Sequence, residues 1–165
     1  MFINRLPARA LYLLGFAACA MLIGTALYFQ YIVELEPCPL CIFQRICVIA
    51  MGAAFLVAAL HNPTSWGRRI YALVLLVVAA IGAGIAARHV WLQNLPPDQV
   101  PECGPDLEFM MNRFPFWDVL GKVLKGSGEC AEVLWTFLGL SIPGWTLIMF
   151  SVFLLFSLSL LFRKT

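Results

Sequence analysis

The chain has 165 residues, of which 62% are hydrophobic and only 12% are charged, and its mean hydropathy is +0.88. A soluble domain is about 45–50% apolar, and one of this size buries only about 70% of its unfolded surface, so a water-soluble globule is excluded. The net charge of +2 and the scattered basic residues argue against a nucleic-acid partner. The composition therefore predicts an integral membrane protein.

Four apolar stretches are each long enough to cross a bilayer, which takes about 20 residues, and none alternates like a barrel strand. They predict an all-α, four-helix membrane bundle that forms a single domain over residues 1–165. The predicted spans are about 11–33, 42–60, 70–91 and 142–162. The first apolar run is too long for the core of a cleaved signal peptide, so we expect it to remain as a span.

Most basic residues and all acidic residues fall on opposite sides of the predicted membrane. The two termini and the 61–69 connection carry six of the 11 basic residues, namely Arg5, Arg9, Arg68, Arg69, Arg163 and Lys164. All 9 acidic residues fall in the other two connections, 31–41 and 92–141. The positive-inside rule therefore places both termini in the cytoplasm and these two loops on the outer side.

Four of the six cysteines lie in or beside the outward loops: Cys38, Cys41, Cys103 and Cys130. The outer compartment is oxidising, so this grouping indicates disulfide chemistry. The other two, Cys19 and Cys47, lie within spans, where we expect them to be small buried apolar residues without a chemical role.

Cys38 and Cys41 form a Cys-x-x-Cys pair at the start of the second span. Pro39 suits the first turn of a helix, which places Cys38 near the N-cap and Cys41 in the first turn. The positive end of the helix dipole favours a thiolate there. Arg45 follows Cys41 by four residues, so the two side chains share a helix face, and its cation adds to that effect. The pattern is typical of a redox-active pair.

A structural disulfide and a zinc site are the alternatives for these cysteines. A four-cysteine zinc site usually has a second close pair, whereas Cys103 and Cys130 are 27 residues apart, so we expect no metal site. Their loop is rich in proline, glycine and acidic residues, and on its own it fits a structural or a labile disulfide equally well. The Cys-x-x-Cys pair on the same side favours redox exchange between the two pairs.

Residues 116–125 carry apolar side chains on one helical face, and Asp118, Lys122 and Lys125 fall largely on the other. The segment is too short to span a bilayer. It predicts a short interfacial helix that lies on the membrane in the second outward loop. A helix that packs on the bundle is the alternative.

The chain contains four characteristic segments, namely residues 36–45 (EPCPLCIFQR), 109–115 (FMMNRFP), 126–132 (GSGECAE) and 135–140 (WTFLGL). In these segments it resembles the DsbB family of bacterial disulfide bond formation proteins, and the resemblance extends over nearly the whole chain. It implies a quinone-dependent thiol oxidase of the bacterial inner membrane, with periplasmic redox loops and cytoplasmic termini. Such an enzyme reoxidises DsbA, a periplasmic thioredoxin-fold oxidase.

The resemblance also implies a role for each outward cysteine. Cys103 takes the mixed disulfide with DsbA, and Cys130 is its partner. Cys38 exchanges with the loop pair through a transient bridge to Cys130. Cys41 is the thiolate that contacts the quinone. Electrons then pass from Cys103 and Cys130 to Cys38 and Cys41, and from there to ubiquinone or menaquinone.

Two further residues are candidates for the quinone site. Arg45 lies beside Cys41, and by resemblance His89 lies near the quinone end of the bundle. DsbA is a strong oxidant at about −120 mV, so a still stronger two-electron acceptor is needed to regenerate it. A membrane quinone fits, since the sequence has no G-x-G-x-x-G fingerprint, and neither a flavin nor a metal is expected. Simple anchoring at the end of the third span is the alternative for both Arg88 and His89.

Two competing hypotheses follow from the same features. One is a bundle that runs electrons in the opposite direction, as in the vitamin K epoxide reductase family, although there the membrane pair and the chain order differ. The other is a four-span scaffold with two structural disulfides and no catalytic activity. Mild reductant separates these classes, since structural disulfides resist it and redox pairs do not.

Overall fold

In a computed structural model of the protein, the described residues are 7–101 and 107–162. Two of the residues considered above, Arg5 and Cys103, lie outside them, as does the charged C-terminal tail 163–165. Four long helices are α1 (Ala8–Tyr31), α2 (Pro39–His61), α3 (Ser65–Gln93) and α7 (Ile142–Phe162). Between α3 and α7 lie a 3₁₀ turn (Pro97–Gln99), α4 (Leu107–Arg113), α5 (Phe116–Lys125), α6 (Gly128–Ala131), β1 (Thr136–Phe137) and β2 (Leu140–Ser141).

The four long helices are long and apolar enough to cross a membrane, which confirms the predicted all-α membrane class. The second and third helices run beyond the predicted apolar cores of 42–60 and 70–91 by up to about a turn at their ends. The reason is that residues outside the apolar run also adopt the helical backbone conformation. Pro39 provides the first helical position of α2, and the polar residues Arg68 and Arg69 continue α3 toward its beginning.

The long helices pack in the order α1, α2, α3, α7, with neighbours in this order in contact. Large apolar side chains fill the interior, among them Tyr12, Phe55 and Phe150, each no more than 1% exposed. Gly15 lets the ring of Phe55 sit directly on the backbone of α1, because a Cβ at that position would lie 2.7 Å from the ring. Substitution of this glycine would therefore push α1 and α2 apart.

The second outward loop folds against one end of this bundle. The predicted helix at residues 116–125 is present as α5, and two of its side chains, Val119 and Val123, are buried. Phe116 and Trp117, at the beginning of the same helix, are 53% and 76% exposed. One part of the apolar surface thus packs on protein, and another part stays open.

A short antiparallel hairpin, β1 and β2, leads into α7 and was not predicted from the sequence. Its two central residues, Leu138 and Gly139, both have positive φ, as in the turn type that matches strand twist. The Trp145 indole Nε1–H donates to the carbonyl oxygen of Phe137 at 3.1 Å, which fastens the hairpin to α7.

Candidate redox site

The beginning of α2 holds the Cys-x-x-Cys pair in its thiol form. Cys38 is the N-cap residue, Pro39 is the first helical residue, and Cys41 lies in the first turn. The Cys38 thiol donates to the Cys41 sulfur across 3.4 Å, whereas a disulfide would hold the two sulfurs about 2.05 Å apart. A small rotation of either side chain is therefore enough to bring the sulfurs to bonding distance.

His89 comes from the end of α3, which lies beside the beginning of α2. Its side chain is 2% exposed. The Nε2 atom lies 3.7 Å from the Cys38 sulfur, and Nδ1 lies 4.0 Å from the Cys41 sulfur. The imidazole is thus in position to donate a proton or a hydrogen bond to a sulfur of this pair, and it lies closest to Cys38.

Gln44 is a member of this site that sequence reasoning missed. Its buried Nε2 lies 3.2 Å from His89 Nδ1. Because an amide nitrogen only donates, Nδ1 is the accepting nitrogen in this arrangement, and the proton of the neutral ring is on Nε2, which faces Cys38. The available signal was a polar amide three residues after Cys41 inside an apolar helix.

Arg45 lies on the other side of the first turns of α2, against α1. Its Nη1 donates to Gln30 Oε1, and its Nη2 donates to the carbonyl oxygen of Ala26 at 3.1 Å. The guanidinium is therefore held by α1 within the bundle, which is unlike the simple reach toward the membrane surface expected of a snorkelling arginine.

A cavity of about 350 Å³ opens beside Cys41 and Arg45. Apolar and aromatic side chains from α1, α7, β1 and the residues just before it form most of its wall, including Leu22, Ile23, Phe29, Trp135, Phe137 and Met149. Ligand pockets typically measure about 300–1,000 Å³ and are mostly apolar with a few polar groups. The cavity therefore fits an aromatic ring compound that meets a thiol and a cation at its wall.

Cys130 lies on α6 and comes close to Cys38 and His89. Its sulfur, the Cys38 sulfur and a ring nitrogen of His89 all lie within 4.8 Å of one another. A hydrogen bond to Cys38 and burial raise the pKa of the Cys130 thiol, while hydrogen bonds from Ser127 oppose this. The loop cysteine thus lies against Cys38, as expected for exchange between the two.

Arg88, near the end of α3, contacts the loop segment that leads to Cys130. The Arg88 guanidinium donates to the carbonyl oxygens of Leu124 at 3.2 Å and Lys125 at 3.1 Å, and it stacks on Trp91 at 4.1 Å. These carbonyls end α5, just before α6. Arg88 therefore does more than anchor its own helix, because it fixes the approach of the loop to the bundle.

Two further cysteines lie outside this cluster. Cys19 and Cys47 are buried within the long helices. Cys103 lies outside the described residues, so its pairing with Cys130 stays a prediction. Of the predicted site residues, the structure brings together Cys38, Cys41, His89 and Cys130 at one point, with Arg45 on the neighbouring wall of the cavity.

The family model for disulfide bond formation protein DsbB matches residues 8–160. The chain belongs to the DsbB family. It is 60% identical to disulfide bond formation protein B of Nitrosococcus oceani over 88% of this chain and 86% of that protein. It is also 57% identical to the proteins of the same name from Hahella chejuensis, over 88% of each chain, and from Methylococcus capsulatus, over 87% of each.

Membership of this family gives the activity in outline. The protein is a multi-pass membrane protein and a disulfide oxidoreductase, of the thiol oxidase family that reoxidises DsbA. The family is linked to quinones. The predicted resemblance, fold class and general activity are therefore confirmed, and the roles of individual residues are proposals.

Proposed function

We propose that electrons enter this protein from a DsbA-like dithiol at Cys103 and Cys130, pass to Cys38 and Cys41, and leave to a membrane quinone. The observation that carries the proposal is that one Cys-x-x-Cys pair lies against Cys130 through Cys38 and also lines the mostly apolar cavity beside Arg45. The site thus offers the pair both a source of electrons and room for an acceptor.

The first exchange takes place at the loop pair. The reduced partner attacks Cys103 of a Cys103–Cys130 disulfide, which gives a mixed disulfide and releases Cys130 as a thiolate. The partner's second thiolate then resolves the mixed disulfide, so that the partner leaves oxidised and both loop cysteines are reduced. This step rests on family membership and on the oxidising side of the membrane, since Cys103 is outside the described residues.

The second exchange takes place where Cys130 lies against Cys38. The Cys130 thiolate attacks Cys38 of a Cys38–Cys41 disulfide, so the Cys38–Cys130 bond forms as the old bond breaks. Cys41 leaves with the electron pair as a thiolate. Attack by Cys103 on Cys130 then restores the loop disulfide and releases Cys38, and two electrons have moved from one pair to the other.

His89 and Gln44 support this exchange. The N–H at His89 Nε2 faces Cys38, so the imidazole stabilises negative charge on that sulfur by donating a hydrogen bond when the sulfur leaves Cys130. Gln44 holds the ring in this tautomer by donating to Nδ1. We assign Gln44 as a positioning residue, because it acts through His89 and not on the sulfurs.

The cavity residues are those that would hold the quinone. Its wall carries the Cys41 sulfur and the Arg45 guanidinium within a mostly apolar surface, which suits an uncharged ring that gains negative charge on reduction. A bound quinone supplies an acceptor for two electrons and two protons. Arg45 stabilises negative charge at this wall, both on the Cys41 thiolate and on a ligand that contacts it.

We propose that the chain lies in the bacterial inner membrane with both termini cytoplasmic and the redox loops periplasmic. The charge distribution supports this orientation, since six of the 11 basic residues fall in the termini and the 61–69 connection, away from the loops of Cys38 and Cys130. The open end of α5, with Phe116 and Trp117 exposed, is then suited to contact the lipid headgroup region as an interfacial helix.

The test uses purified full-length protein in detergent, reduced DsbA and ubiquinone, with quinone reduction followed by absorbance. We expect turnover in the wild type, and loss of quinone reduction in Cys41→Ala. Cys47→Ala is the matched control, because it removes a buried thiol from the same helix and should retain turnover. Quinone reduction that persists without Cys41 would overturn the proposed path.

A further inference from the structure

We propose that the reduced protein binds one divalent zinc ion through Cys38, Cys130 and His89. The side chains that the proposed electron path brings together form, when reduced, a donor set of two thiolates and one imidazole. Zinc takes this set in proteins, with an open fourth position for water. The site is therefore a property of the reduced protein and is absent when any of its sulfurs is in a disulfide.

The distances support a closed set of ligands. The three donor atoms lie within 4.8 Å of one another, and Cys38 Sγ lies 3.7 Å from His89 Nε2. Zinc–sulfur bonds of about 2.3 Å and zinc–nitrogen bonds of about 2.0–2.1 Å put tetrahedral ligand atoms roughly 3.5–3.8 Å apart. The Cys38–His89 separation already has this value, and the third ligand needs to move by about 1 Å at most.

The surroundings of His89 fit a metal ligand. A histidine bound to zinc through Nε2 usually gives its Nδ1–H to an acceptor, which fixes the ring. Gln44 faces Nδ1 at 3.2 Å, and a half-turn of its amide would present Oε1 as that acceptor. Both side chains are buried, so a ring once oriented has little freedom to turn away.

The sequence argued against a zinc site because it offered no second close cysteine pair. That argument assumed four cysteine ligands. The fold instead supplies a histidine from α3 and a single loop cysteine from α6, which are 41 residues apart in the chain (130 − 89). Such a donor set is formed by tertiary structure and leaves no local motif.

Binding is balanced by release of protons, because zinc takes the thiolate forms of both cysteines. One zinc ion and two thiols give the complex and two protons, with no change in oxidation state. The bound ion would occupy the sulfur electrons that Cys38 and Cys130 need for exchange. Inhibition of turnover by zinc thus rests on the proposed function, whereas the binding itself does not.

The test is a titration of reduced, full-length protein in detergent, without oxygen or quinone. Cadmium is the probe, since each cadmium–thiolate bond adds ultraviolet absorbance, and zinc is then added to displace it. We expect one cadmium per chain with the absorbance of two thiolates, release of two protons, and displacement by zinc. Cys38→Ala, Cys130→Ala and His89→Ala should each lose this stoichiometric binding.

Three further variants keep the assignment falsifiable. Cys41→Ala should bind as the wild type does, because its sulfur is not part of the three-atom cluster found among the described residues. Cys103→Ala should do the same, since the proposed ligand set does not include Cys103. Loss of binding in either variant would overturn the proposed ligand set. The metal would then belong to the loop pair if Cys103→Ala loses binding, or to the Cys-x-x-Cys pair if Cys41→Ala does. Gln44→Leu should weaken binding by about 10–100-fold if Gln44 orients His89.

The outcome for binding is independent of the outcome for function. A protein that binds zinc as expected but fails to reduce quinone would uphold the site and reject the proposed electron path. A protein that reduces quinone but binds no metal in its reduced form would uphold the electron path and reject the metal site. Unchanged binding in His89→Ala would reject the site, even if zinc inhibits turnover.

Discussion

Cys130 and Cys19 are buried to the same degree, at 1% and 2% exposure, yet they lie in opposite kinds of surroundings. Cys130 contacts Cys38, His89 and Ser127 at the outward end of the bundle. Cys19 packs among apolar side chains on α1, where a Cβ on Gly52 would lie 3.3 Å from its own. Burial alone therefore does not distinguish the thiol proposed to react from the one expected to be inert. Their neighbours, polar for Cys130 and apolar for Cys19, do distinguish them.

The strongest test of this comparison removes one thiol from each group. Cys38→Ala should lower DsbA-dependent quinone reduction by at least about 10³-fold, because it removes the sulfur through which electrons pass from the loop pair to the Cys-x-x-Cys pair. Cys19→Ala should change turnover by less than about twofold, because it removes a thiol that packs among apolar side chains. Turnover assays on both purified variants, with matched amounts of folded protein, would decide whether the two groups differ as proposed.

Arg45 tests whether the polar residues on the two sides of α2 act separately. Arg45→Ala should raise the KM for quinone by about tenfold and leave the KM for DsbA unchanged, because Arg45 lines the cavity and lies away from Cys130. Arg69→Ala, an exposed arginine at the other end of the bundle, is the control. An altered KM for DsbA with an unaltered KM for quinone would contradict this placement.

Arg88 tests whether docking of the loop makes Cys130 reactive toward Cys38. Arg88→Ala should slow formation of the Cys38–Cys130 disulfide by about three- to tenfold, since two charge-assisted hydrogen bonds to the end of α5 are lost. Arg88→Lys should recover only part of the rate, because an ammonium lacks the forked geometry. The measurement is mass spectrometry of quenched samples, and equal rates in all three proteins would remove Arg88 from the proposal.

The sequence was sufficient to predict the parts of this fold that depend on hydropathy and local pattern. Apolar length predicts the four long helices, and the Pro39 position predicts where α2 begins. The amphipathic pattern of residues 116–125 predicts α5. Each of these features is decided within one turn or one segment of the chain.

The parts that the sequence did not predict depend on contacts between segments. The interaction of Gln44 with His89 joins residues 45 positions apart, and the contacts of Arg88 with the end of α5 join residues 36 and 37 positions apart. Nothing in the spacing of these residues indicates a contact. The β1–β2 hairpin was missed for a related reason, since two-residue strands give no alternation to detect.

The smallest expected effect concerns the proton on Cys130. In the reduced protein the hydrogen bond to Cys38 is the main cause that raises the pKa of the Cys130 thiol, followed by burial. A thiol with a raised pKa has less thiolate at a given pH and reacts more slowly with an alkylating agent. Cys38→Ala should therefore shift the pH profile of Cys130 alkylation toward lower pH.

Ser127 should act in the opposite direction on the same thiol. Its hydroxyl lies 3.6 Å from the Cys130 sulfur, and its hydrogen bonds lower the pKa of that thiol. Ser127→Ala should thus shift the alkylation profile toward higher pH, by less than Cys38→Ala shifts it toward lower pH, because only the side-chain hydrogen bond is lost. Mass spectrometry of the alkylated peptide isolates Cys130 from the other thiols. Shifts of the same sign in both variants would mean that altered access, and not the two hydrogen bonds, controls the reactivity of Cys130.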